Sequence, residues 1–219
     1  MSDPAPLQAI AVVDLLALLA YGELQAFDQM AADARLAPDL HRRAVLSEMA
    51  AAEIVNYRRL AGRLTELGAD AETSMRPFVA ALEHYHDQTA PKDWLEALTK
   101  AYVGDGIADD FYREVALYLA SPDRELILDV LHDTRYADFA ADEIRGAIAT
   151  DPKVANRLSM WGRRLVGEGL SQAQRVAVER PSLVMLVVGA AEDQDGIAAL
   201  FKRLTSAHTA RMAAVGLNN

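Results

Sequence analysis

The stretch AAAEIVNYRRLAGRL, residues 50–64, decides the fold. It has no proline, is rich in alanine and leucine, and runs on into further residues of the same kind. Alanine and leucine are strong helix formers, so the stretch reads as part of a long helix. It also places Glu53 and Asn56 three residues apart, on one helix face. A glutamate followed at that spacing by a histidine is half of a carboxylate-bridged metal site in a helical bundle. Here Asn56 takes the histidine's place.

The whole chain has the same character. Its 219 residues are enough for one domain with a sizeable core. Hydrophobic residues make up 52% and aromatics only 6%, which favours helices over sheets. There is no cysteine, so disulfides, zinc fingers, iron–sulfur clusters and a cysteine nucleophile are excluded. The formal charge of −10 argues against general nucleic-acid binding, which needs clustered Lys and Arg. No signal peptide is evident. The most apolar run, AIAVVDLLALLAY (9–21), is short for a membrane span and carries Asp14. The expectation is a soluble cytoplasmic protein with no membrane partner.

Proline and glycine punctuate the chain. Helices are expected over about 6–35, ending before Pro38, and about 38–67, ending at Gly68. A loop with Asp70, Thr73 and Ser74 leads to a short helix over about 75–88. TAPKDW (89–94) opens a long helix over about 91–119. In SPD (121–123), Ser121 is the expected N-cap and Pro122 the first residue of a helix over about 121–150. A helix to about 179, an apolar helical turn at 181–189 and a last helix over about 193–214 complete the chain. Short connections make two antiparallel hairpins, and the segment 68–90 crosses between them. The expected fold is all-α: a ferritin-like four-helix bundle with one long crossover and a C-terminal helical appendage from 151 to 219, in a single domain.

Several acids fall where the bundle interior should be. Glu23 sits among Leu19, Ala20, Ala26 and Phe27, and Glu53 among Met49, Ala50 and Tyr57. Asp105 is flanked by Ala101, Tyr102 and Ala108, and Asp133 by Val130 and Ala137. Glu23 and Glu53 flank the first expected turn, near residue 37, by 14 and 16 residues. Asp105 and Asp133 flank the second, near 120, by 15 and 13. All four are thereby expected at one level of the bundle, roughly 20 Å from the turns. Four carboxylates in a core repel one another unless they are protonated or share cations.

The chain resembles the ferritin-like superfamily. Within it, it is similar to the actinobacterial MiaE-like group, the tRNA-(methylthio-isopentenyl-adenosine) hydroxylase-like proteins. The likeness is carried by AAAEIVNYRRLAGRL, WLEALTKAYVGDGIADDFYREVA (94–116), DTRYADFAADEIRGAI (133–148) and MWGRRLVGEGLSQAQRV (160–176). It implies a di-iron oxygenase site whose acids fall on Glu23, Glu53, Asp105 and Asp133, with Asp109 competing for the third place. The two histidine positions fall on Asn56 and Tyr136, so both imidazoles are replaced. Asn offers only a carbonyl oxygen and Tyr only a phenolate. The resemblance also makes tRNA an expected partner.

Other residues read more plainly. His132 points about 100° away from Asp133. His41, His84, His86 and His208 read as surface or partly buried polar residues. Segment 153–180 carries Lys153, Arg157, Arg163, Arg164, Arg175 and Arg180 against Glu168 and Glu179. Arg157, Arg163, Arg164 and Arg175 make up the RNA-facing candidate patch; its alternative is a face salt-bridged to the acidic bundle. Trp94 and Trp161 read as packing anchors. GDG (104–106) lacks the Lys and Ser/Thr of a phosphate loop, and its glycines point to close helix approach or a π-bulge. Three functions stay open: a di-iron oxygenase with a degenerate site, a metal-free binding or interaction bundle, and iron storage. Storage ranks last, because nothing suggests a cage. A homodimer is a further expectation.

Overall fold

The computed structural model describes the backbone of residues 4–190 and 194–218. All regular structure in it is helical. Helix α1 spans Pro4–Asp33 and ends in a 3₁₀ turn at Ala34–Leu36. It returns as α2, Leu40–Glu66, whose N-cap Asp39 accepts from the Arg42 amide. Helix α3, Ala71–Gln88, forms the crossover. It begins four residues earlier than expected because Asp70 caps it, accepting from the Thr73 amide at 2.8 Å.

The third bundle helix is continuous but not uniform. It comprises α4 (Trp94–Lys100), a π turn (Ala101–Asp105) and α5 (Gly106–Ala116). Both readings of GDG are realised together. A Cβ on Gly104 would lie 2.6 Å from the Tyr85 hydroxyl, and one on Gly106 would lie 2.5 Å from Arg211 Nε. The glycines therefore admit α3 and the last helix against the widened turn.

The fourth bundle helix departs from expectation. Instead of one helix over 121–150 there are two, α6 (Asp123–Val130) and α7 (Arg135–Thr150). The break falls at LHDT (131–134). Asp133 accepts from the Arg135 backbone amide at 3.0 Å, and the Thr134 hydroxyl bonds Asp138. Short polar side chains that bond nearby backbone compete with the helix and start a new one. Arg113 of α5 closes the gap by donating to the Leu131 carbonyl at 2.5 Å.

Beyond the bundle lie α8 (Lys153–Glu179), α9 (Pro181–Ala190) and α10 (Gln194–Ala214). The expected last helix began at 193, a residue outside those described. Helix α8 packs on α3, α4 and the π turn, α9 on α1, and α10 on α5. The Trp161 indole donates to the Glu96 carbonyl at 2.9 Å, and the Trp94 indole donates to Glu143 at 3.2 Å. Asp14, the acid in the apolar run, is buried because Ser182 donates to it at 2.5 Å and Arg180 lies 3.8 Å away. The apolar character of α1 extends past residues 9–21. By length and composition α1 can cross a membrane over Gln8–Leu36, but half of its most apolar window is buried by the rest of the chain.

The core is divided along the bundle axis. One apolar cluster joins Leu15, Leu16 and Leu19 to Leu60, Phe78, Val115 and Ile127. At the opposite end Ala34, Leu46, Leu98 and Ala140 form a second. Between these clusters α1, α2 and the third helix carry the polar residues described below, alongside the buried apolar residues Met30, Ala50 and Val103.

These packing limits predict opposite outcomes for two glycines. Gly62→Ala, on an exposed face with nothing within 4 Å, should raise the melting temperature by about 2 °C. Gly104→Ala should lower it by roughly 2–8 °C, because Tyr85 must move out of a tight contact. Thermal unfolding followed by circular dichroism checks both.

Candidate functional site

Four of the expected acids meet in the middle of the bundle. Glu23 of α1 is 7% exposed and lies beside Glu53 and Asn56 of α2. Burial first, then the neighbouring Glu53 carboxylate, holds the Glu23 carboxyl far above the usual range, so it keeps its proton at neutral pH. Its Oε2 is buried and has no hydrogen-bond partner among the described residues. From the third helix, Asp109 faces Glu53 and is pushed up to about 6 by burial, against the pull of Arg113 at 3.5 Å. Asp105 retains accessible surface, yet the surrounding helices strip away much of its hydration. Burial and then Asp109 push it up to about 8.

Tyr136 also reaches this level from α7. Its hydroxyl is buried without a partner, and Asp33, Asp105 and Glu53 are its charged neighbours. Tyr112 is buried against Glu23 and Asp109. Asn56 lies beside Glu23, and Tyr136 lies near Asp33, Asp105 and Glu53.

Asp133 does not join them. It lies in the break between α6 and α7, exposed, with Arg135 gripping both of its oxygens at 2.9 and 3.0 Å through Nε. Level-matching assumed one unbroken helix over 121–150; the break turns Asp133 outward and removes the fourth helix's acid.

Sequence reasoning missed a second part of the belt. Asp33 and Lys100 are each 2% exposed. Gln29 links them, donating to Asp33 Oδ1 at 2.8 Å and accepting from Lys100 Nζ at 3.3 Å. Burial raises Asp33 to about 6 and lowers Lys100 to about 8. His86 is partly buried, as read from the sequence, and lies near Lys100. Burial and that ammonium lower it to about 3, so it is neutral. The available signal was local: Lys100 sits between Ala97 and Val103, three residues to either side, on an otherwise apolar stripe.

Do these residues fit a di-iron centre? Both nitrogen-ligand positions hold oxygen donors, one acid has left, and a lysine ammonium has entered. Among the described residues, no three Asp, Glu or His side chains are grouped so that they could hold a metal ion. The donor set does not fit the centre that the resemblance implies.

The fold and the belt define a class: an all-α ferritin-like bundle with an acidic interior. A family model described as a ferritin-like domain of actinomycetes matches residues 8–190. The chain belongs to that family. No curated protein matches the sequence.

The belt makes stability depend on pH. Glu23, Asp33, Asp105 and Asp109 all have folded pKa values above their unfolded ones. Their contribution is complete below about pH 4 and is lost as pH rises through the folded values. His86, lowered to about 3, works in the opposite sense below its ordinary value of 6.5. Lys100 adds stability only as pH rises above about 8. Between about pH 5 and 8 the four carboxyls outweigh one histidine, so the melting temperature should fall as pH rises. Glu23→Gln, which mimics the protonated acid, should raise it at pH 8 by about 3 °C or more and flatten the profile. A melting temperature that climbs from pH 5 to pH 8 contradicts this reading.

Proposed function

We propose that this protein is a ferritin-like bundle that works by binding, without a di-iron centre. The observation that carries this reading is the composition of the belt. Asn56 and Tyr136 supply no imidazole, Asp133 faces solvent, and Lys100 brings a positive charge inside. A protonated Glu23 relieves repulsion that metal ions would otherwise relieve. What is bound is a small molecule or a protein partner. The bundle acts in the cytoplasm, and self-association as a homodimer belongs to the same proposal.

A second reading, a di-iron hydroxylase similar to the tRNA-modifying MiaE-like group, draws support from one observation. Glu23 lies beside Glu53, and Asp109 has Glu53 and Asp105 as charged neighbours. Its tRNA partner draws less support from α8. Arg157 pairs with Asp93 and Glu96 at 2.6 and 3.1 Å. Arg163 donates to the Asn218 carbonyl and Arg164 to the Gln88 carbonyl. These arginines bind α8 to the rest of the chain, whereas Arg175 is exposed.

Metal analysis separates the readings. Protein purified without chelator, then loaded anaerobically with ferrous iron and desalted, should hold far less than one iron per chain. Two irons per chain, lost in Glu53→Ala, would establish the oxygenase reading instead. Bulk tRNA at low salt should cause no mobility shift; a salt-sensitive shift removed by Arg175→Glu would revive the RNA reading.

A further inference from the structure

The outward face of α2 is unlike an ordinary solvent-facing helix surface. Its inner side is fixed by the buried Leu46, Ala50, Leu60 and Leu64 and by Glu53 beside Glu23. On the other side Leu40, Ala44, Ser47, Ala51, Val55 and Arg58 recur at spacings of three and four residues, so they form one stripe. All are exposed, Leu40 at 80% and Val55 at 54%. The stripe runs on to Gly62 and Thr65, which are exposed as well. The outer face of a surface helix normally carries charge, and along this stripe only Arg58 does. Its two hydroxyls need nothing from outside. Ser47 donates to the Arg43 carbonyl at 2.8 Å and Thr65 to the Ala61 carbonyl at 3.0 Å. What the stripe presents is mostly apolar and low in relief.

The stripe is complementary to itself about the level of residue 53. Ala51 and Val55 lie two residues either side of that level, Glu48 and Arg58 five, and Ala44 and Gly62 nine. Two copies of α2 packed antiparallel about it set Val55 of each against Ala51 of the other, large against small. Ala44 then faces Gly62, so neither end holds the helices apart. Glu48, on the edge of the stripe, meets Arg58 of the other copy and the adjacent Arg59. Glu48 and Arg58 are exposed, and neither is in an ion pair among the described residues. Arg59 bonds Asp129 of its own chain. A two-fold axis forms every contact twice, and opposite charges placed this way fix the register.

We propose that the outer face of α2 is the contact between two copies of this chain: an antiparallel helix pair with its two-fold axis at the level of residue 53, held by Val55 against Ala51 and by paired Glu48 and Arg58. This rests on the homodimer reading above and names its interface. Glu53 stands on the opposite side of the same helix, so the axis sets the two acidic interiors back to back. A single pair of helices, each about 40 Å long, makes a small contact, below about 1,200 Å². The dimer therefore exchanges with monomer at micromolar concentrations.

Sedimentation equilibrium from about 5 to 500 μM tests this. Wild-type protein should pass from monomer to dimer across that range. Val55→Glu places a carboxylate against Ala51 of the other copy and should weaken the dimer at least about tenfold. Glu48→Arg brings like charges together and should weaken it roughly tenfold. Adding Arg58→Glu to it should recover at least half of that loss. All three positions are exposed, so circular dichroism of each variant should match the wild type. Phe201→Glu, which changes an exposed aromatic on α10, should leave association unchanged. A dimer indifferent to Val55→Glu, one abolished by Phe201→Glu, or charge variants whose effects merely add would overturn the α2 contact and leave the homodimer reading standing. A wild type that stays monomeric at the highest concentration would remove both.

Discussion

A carboxylate taken out of water must be protonated, paired or hydrogen-bonded, and that constraint shapes the middle of this bundle. The two ends are apolar and need no special explanation. Between them lie Glu23, Glu53, Asp105 and Asp109, with Asp33 about 15 Å further along α1. The surrounding features answer the same problem. Glu23 keeps its proton beside Glu53, Arg113 leans on Asp109, and Gln29 links Lys100 to Asp33. The helical irregularities fall at this level too. The π turn sits beside Asp105, and the fourth helix breaks where its own acid would have entered.

Much of this was legible in the sequence. The all-α class, the first hairpin and the crossover followed from proline, glycine and capping residues; the split of the fourth helix did not. The meeting of Glu23 with Glu53 followed from their matched distances to the first turn. Asp133 was misplaced for a physical reason. Asp133 and Thr134 are strong local hydrogen-bonders, and their competition with the helix was overlooked in favour of periodicity. Lys100 and Asp33 were missed because charged residues in alanine-rich helices usually face solvent. Lys100 is buried with the rest of α4, whose residues Glu96 to Lys100 are all enclosed.

The segment after the bundle serves the belt indirectly. Helix α8 covers α3 and the π turn, and its arginines are spent on Asp93, Glu96 and backbone carbonyls. Helix α10 closes over α5, with Arg211 bound to Asp110 at 2.5 Å beside Gly106. Helix α9 is pinned to α1 through Asp14. Helices α8 and α10 pack on the π turn and bury Val103 within it. The basic character of α8 in an acidic protein is thus largely explained by packing.

The central claim is that protons, not metal ions, balance the belt. Proton release on unfolding tests it most directly. Calorimetric unfolding at pH 7 in buffers of different ionisation enthalpy counts the protons exchanged. Glu23 and Asp105 hold theirs when folded and lose them when unfolded, so unfolding should release roughly one to two protons. A belt of ionised carboxylates around metal ions would release none, and that result, or net proton uptake, would contradict the account.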